Sequence, residues 1–189
     1  KNSPILNKYN FRYEKNKLTL IINDKELISI NPDNSENFSL ISEKLLELEI
    51  SLEKPIFFLK NSQFPFYDTS SSNNVMNSIS LINLNSVKDL EMKINKKLEI
   101  QRFRANFYVE GIKAFEERNW INKVIKINNI SFKVQNHIPR CVAINLKPKT
   151  DDNSLNLLQS LKKNFNHFDM GIYLTALEDG IINVGDRVE

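Results

Sequence analysis

Lys123-Val-Ile-Lys-Ile-Asn-Asn-Ile-Ser-Phe-Lys-Val134 holds two apolar runs, residues 123–127 and 130–134, on either side of two asparagines. Asparagine tolerates positive φ better than most residues, so this stretch predicts a tight β-hairpin. Working outward, more short strands are predicted at Phe107–Val109, Cys141–Leu146, Gly171–Leu177 and Ile181–Val184. Towards the N-terminus, strands are predicted at Ser78–Ile82 and Pro55–Leu59. Lys17–Ile22 and Leu27–Ile30 read as a hairpin around Asn23-Asp-Lys-Glu26.

Helical spacing is confined to three places. Phe38, Ile41, Leu45 and Leu48 predict an amphipathic helix over Glu36–Glu49. Val87, Leu90, Ile94 and Leu98 share a face of a second helix, with Ser86-Val-Lys-Asp89 as a capping-box-like start. Leu155, Leu158, Leu161 and Phe165 mark a third over Ser154–Phe165. The Ser-, Asn- and aromatic-rich stretch Asn61–Asn77 reads as a long loop. Many short strands, few helices and no regular β-α alternation predict a mainly β fold with attached helices (α+β), organised as a β-barrel. Four glycines in all, and no Gly-rich phosphate loop, argue against a doubly wound nucleotide-binding sheet.

Composition narrows the function classes. The chain has 189 residues, 41% hydrophobic and 26% charged, as in ordinary globular proteins. Its formal charge of +3 is too small to argue for nucleic acid. No apolar run approaches the roughly 20 residues of a membrane span, and no signal-peptide pattern opens the chain. A single cysteine excludes an internal disulfide and fits a reducing, cytoplasmic setting.

That cysteine is Cys141, in Asn136-His-Ile-Pro-Arg-Cys-Val-Ala-Ile144. It is either a buried plug or a reactive centre. Arg140 could favour its thiolate if the two side chains met, but neighbours on a strand point to opposite faces. One Cys and two distant His, His137 and His167, make a poor zinc site, and both histidines read as structural or solvent-facing. Trp120 reads as core, and Asp68 as a turn residue or a support to the site.

An ordered series of motifs resembles the MOSC domain family, the module at the C-terminus of molybdenum-cofactor sulfurases and in the mitochondrial amidoxime-reducing component. Arg102-Phe-Arg104-Ala-Asn106 is similar to the family's Arg-Phe-Arg-Pro-Asn, and Phe115-Glu-Glu-Arg-Asn-Trp120 to its Phe-x-Glu-x-x-Trp. Pro139-Arg140-Cys141 matches its Pro/Ser-Arg-Cys signature, and Gly171–Leu174 with Ile182–Asp186 matches its closing strands. Ala105 departs from the family proline, Asn128 from a hairpin glycine, and Ile144-Asn-Leu-Lys147-Pro148 from Thr-Thr-Val-Asp-Pro.

The resemblance implies a MOSC-type barrel like that of pyruvate kinase over residues 65–189. Residues 1–64 are then expected to be the remainder of a truncated N-terminal β-rich lobe. It implies a molybdenum cofactor (Mo-pyranopterin) with Cys141 as catalytic residue and metal ligand. Arg104, Asn106, Arg140 and Arg102 are the implied cofactor contacts, guanidinium groups suiting the pterin's phosphate. The implied activity is reduction of N-hydroxylated small molecules, with electrons from an external electron-transfer protein. Two other readings stay open: a sulfur carrier or cofactor-presenting module using a Cys141 persulfide, and a β-barrel used only for interaction.

Overall fold

The structure is a computed structural model and describes residues 3–34, 36–52, 56 and 78–189. The chain divides into two compact units, Lys1–Pro65 with Leu146–Ser154, and Phe66–Asn145 with Leu155–Glu189. The expected strand at Pro55–Leu59, the loop at Asn61–Asn77 and Asp68 lie largely or wholly outside the described residues.

The first unit is an antiparallel sheet of β1 (Tyr9–Glu14), β2 (Lys17–Ile22) and β3 (Lys25–Ile30) covered by α1 (Asn37–Leu48). Both hairpins turn on two residues with positive φ, Lys15-Asn16 and Asn23-Asp24, the backbone that matches strand twist. The second turn is therefore shorter than the four polar residues suggested, because Lys25 and Glu26 pair as strand. β1 was not predicted: Phe11 and Tyr13 are exposed, so the segment lacks a buried periodic face. Leu20, Ile30, Ile41 and Leu45 form the core. Asn7 Nδ2 donates to the carbonyls of Lys147 and Thr150, and Lys8 pairs with Asp151, which brings the 146–154 segment into this unit.

The second unit is built on a mixed half-barrel sheet of order β5-β4-β8-β7-β6. Its strands are β4 (Ile79–Asn83), β5 (Phe107–Val109), β6 (Val124–Ile127), β7 (Ile130–Pro139) and β8 (Asp169–Ala176), and only the β4–β5 pair is parallel. The hairpin of residues 123–134 forms as read, with Asn128 at φ 56°. One hydrophobic cluster, including Ile82, Leu90, Phe103, Leu161 and Met170, joins the sheet to α2 (Leu84–Ile94) and α3 (Leu157–Phe165). Leu81, Phe132, Val134, Ile172 and Leu174 form the other. Alternation along β4 sends Leu81 and Ile82 to different clusters, and in β8 the change from one cluster to the other falls between Met170 and Ile172, at Gly171 with its φ of 85°. The mainly β architecture with attached helices is thus what the chain adopts.

Four local expectations are corrected. Cys141–Leu146 is not a strand: Val142–Asn145 is a 3-10 turn, with Ile144 N–H bonded to the Cys141 carbonyl at 3.2 Å. Only Ile144 of that turn is buried, so the short apolar run needs no sheet face. Ile181–Val184 forms no strand either. Ile181 and Val184 are exposed, and the chain meets the sheet only later, at an isolated bridge between Ile127 and Val188. The second helix starts earlier than its Ser86 signal, because Asn83 caps it by accepting the Asn85 N–H at 3.0 Å. The third starts later, at Leu157, capped by Asn156.

Candidate functional site

Cys141 is exposed. It follows Arg140, whose backbone and guanidinium are bound by groups on two other elements. Arg140 N–H donates to the Phe168 carbonyl at 2.9 Å. Its Nε and Nη2 donate to the Met170 carbonyl, and its Nη1 to the Phe103 carbonyl at 2.8 Å. The guanidinium carbon lies 5.9 Å from the Phe103 ring centroid. Burial pushes the Arg140 pKa down to about 10, against the opposing charges of Tyr173, Tyr108 and Cys141, so the group stays charged at neutral pH. Arg140 acts here as an anchor that holds the Cys141 segment against the start of β8.

The Arg102-Phe-Arg104 motif answers in kind. Arg102 is 3% exposed; its Nε donates to Glu99 at 2.8 Å and its Nη1 to the Asn145 carbonyl at 2.7 Å. Arginines from the two motifs thus bind each other's backbone: Arg140 takes the carbonyl before Arg104, and Arg102 takes the end of the turn after Cys141. Arg104 ends a 3-10 turn, Ile100–Phe103, at φ 47°, and is exposed. Among the described residues, no hydrogen bond or ion pair takes its guanidinium. Asn106 is exposed, but its Oδ1 accepts from the Ser80 N–H and the Ser80 hydroxyl at 2.9 and 2.8 Å. That side-chain oxygen therefore fastens the start of β5 to β4.

Sequence reasoning missed a buried carboxylate within a third motif. Glu117, inside the Phe-x-Glu-x-x-Trp segment, is fully buried and accepts from Asn83 Nδ2 at 2.8 Å and the Ser86 hydroxyl at 2.9 Å. The motif pattern could have found it, because a carboxylate between Phe115 and Trp120 must be bonded if that turn packs inward. Glu117→Ala strands the Ser86 hydroxyl and one Asn83 amide hydrogen. A loss of about 3 kcal/mol is expected in urea unfolding of the second unit; a change under about 0.5 kcal/mol would show the network to be dispensable.

The histidines are structural, as read. His137 Nε2 donates to the Arg118 carbonyl at 3.2 Å, and His167 Nδ1 accepts the Asp169 N–H at 3.2 Å. Trp120 packs, half-buried, against the Leu81–Phe132 cluster. The hollow lined by Lys88, Glu91, Met92, Asn95, Lys96 and Lys97 shares no residue with the Cys141 site. Among the described residues, no three His, Cys, Asp or Glu side chains gather as a metal site. None of the described helices is long and apolar enough to cross a membrane.

The family model for the MOSC domain matches residues 68–189. Mitochondrial amidoxime reducing component 2 of Rattus norvegicus is 32% identical over 93 residues, 49% of this chain and 25% of that relative. Molybdenum cofactor sulfurase of Drosophila ananassae is 30% identical over 113 residues, 57% of this chain and 14% of that relative. The chain therefore spans a quarter or less of the length of these two relatives.

Proposed function

Because this chain belongs to the MOSC domain family, we propose that it binds a molybdenum cofactor through Cys141 and serves as an oxidoreductase on N-hydroxylated small molecules. The observation that carries the reading is an exposed lone thiol on a segment held from both sides by Arg140 and Arg102. The donor set supports it. Among the described residues no three His, Cys, Asp or Glu side chains gather, and a single soft thiolate suits a metal that arrives with most of its own ligands, as a dithiolene-bound metal does.

Each residue has a distinct part. Cys141 would supply the thiolate. Arg104, exposed and without a partner among the described residues, would meet the anionic tail. Arg140 and Arg102, whose donors go to protein groups, would position the Cys141 segment, and Asn106 would hold the turn carrying Arg104. When bound, the cofactor would supply two-electron redox chemistry that no side chain can perform. An external electron-transfer protein would complete the cycle.

The openness of the thiol also favours a second reading, in which Cys141 carries a persulfide as a sulfur-carrier or cofactor-presenting module. Elemental analysis of protein made in a host that synthesises the cofactor separates the two. About one molybdenum per chain supports the first reading. Thiocyanate released by cyanide, without molybdenum, supports the second, and neither signal rejects both. Arg104→Ala is expected to lower cofactor retention about tenfold, the worth of one charge-assisted contact, with unchanged circular dichroism. Full retention removes Arg104 from the site.

A further inference from the structure

Three consecutive residues at the start of β8 control how Cys141 is held. The Phe168 carbonyl accepts the Arg140 N–H, and the Met170 carbonyl accepts the Arg140 guanidinium. Between them, Asp169 pairs with Pro139 across the sheet. Asp169 is held in turn by its N–H, which donates to His167 Nδ1 at 3.2 Å, and by its Oδ2, which accepts from Arg118 Nη1 at 2.8 Å and lies 4.0 Å from His137 Nδ1.

The chemistry of the first bond fixes the tautomer of His167. An imidazole nitrogen that accepts a hydrogen bond carries no proton, so neutral His167 is protonated at Nε2 alone. Adding a proton at Nδ1 sets two N–H groups against each other and breaks the bond. Arg118 and His137 also disfavour a cation there, Asp169 being the one anion facing the ring. Phe115 and Phe165 lie on the remaining sides, at 5.6 and 6.0 Å between ring centroids, and bring no charge. Lys162, on α3, lies over the neighbouring Phe168 ring.

We propose that His167 is an acid-sensitive latch on the segment that presents Cys141: neutral, it holds Asp169 at the start of β8, and protonated at Nδ1 it lets Asp169 go. The latch is a property of this strand end and does not depend on what the thiol carries. Burial, then Arg118, push the His167 pKa below its ordinary value. The latched form thus binds a proton less readily than the open form. Its stability is complete above the ordinary imidazole pKa and is lost as pH falls from there through the lowered value.

Native-state hydrogen exchange of the Arg140 amide, whose acceptor is the Phe168 carbonyl, reads the latch directly. Protection, corrected for intrinsic rates, is expected to fall by up to about tenfold per pH unit below about pH 6.5. In His167→Asn the fall should vanish. Asparagine keeps an acceptor for the N–H two residues on, the Asx-turn bond, and has no proton to gain. His137→Asn should leave the fall in place. Protection that stays flat in the wild type, a fall that persists in His167→Asn, or a fall abolished by His137→Asn overturns the latch. Nitrogen chemical shifts of the wild-type ring at neutral pH give a check that needs no variant: a proton on Nδ1 overturns it as well.

Discussion

Gly171→Ala is expected to unfold the second unit or to cost it at least about 4 kcal/mol, the range reserved for severe core defects. Gly171 sits in β8 at φ +85°, where a side chain is strained whatever the space. Space is also lacking. A Cβ would stand 2.3 Å from the Leu81 carbonyl oxygen and 2.6 Å from Ile82 Cδ1. The oxygen belongs to β4, which pairs with β8 through Leu81 and Ile172, so it cannot retreat without opening the ladder. Ile82 is itself fully buried. Native domains hold only about 5–15 kcal/mol in all. Urea unfolding followed by circular dichroism measures the effect, and a loss below about 1 kcal/mol would mean that the β4–β8 approach is looser than described.

Cys141→Ala is expected to abolish molybdenum retention while leaving stability within about 0.5 kcal/mol of wild type. The side chain is exposed, so its removal opens no cavity. The segment keeps its place through Arg140 and Arg102, which use backbone carbonyls and do not touch the mutated atom. Elemental analysis alongside urea unfolding makes the comparison, since metal loss with an intact fold separates a ligand from a structural residue. Molybdenum retained at about one per chain in the variant would remove Cys141 from the metal and end the proposed role.

Much of the second unit was legible because its cues are local. Asn128 carries the positive φ that its residue type allows, and the runs on either side pair as read. Two of the failures share a cause. Cys141–Leu146 and Ile181–Val184 have strand-forming residues, but the sheet has no place for them, and residue type cannot report that. β1 fails the other way: its exposed face hides a strand that the hairpin turns at 15–16 impose.

The candidate site divides similarly. Cys141, Arg140, Arg102, Arg104 and Asn106 were all visible as motif residues, yet their tasks were not. Bonds spanning 37 and 43 residues commit Arg140 to Phe103 and Arg102 to Asn145.

By itself, the order of residues determined the hairpin of residues 123–134, the helical faces and the family motifs, since each depends on neighbours a few positions apart. Only the tertiary structure decided which arginine is anchored and which is left exposed, and that Glu117 is buried against Asn83 and Ser86. Those outcomes depend on which carbonyls and donors are buried together after the strands have paired. A buried polar group must find its partner there, however distant in the chain.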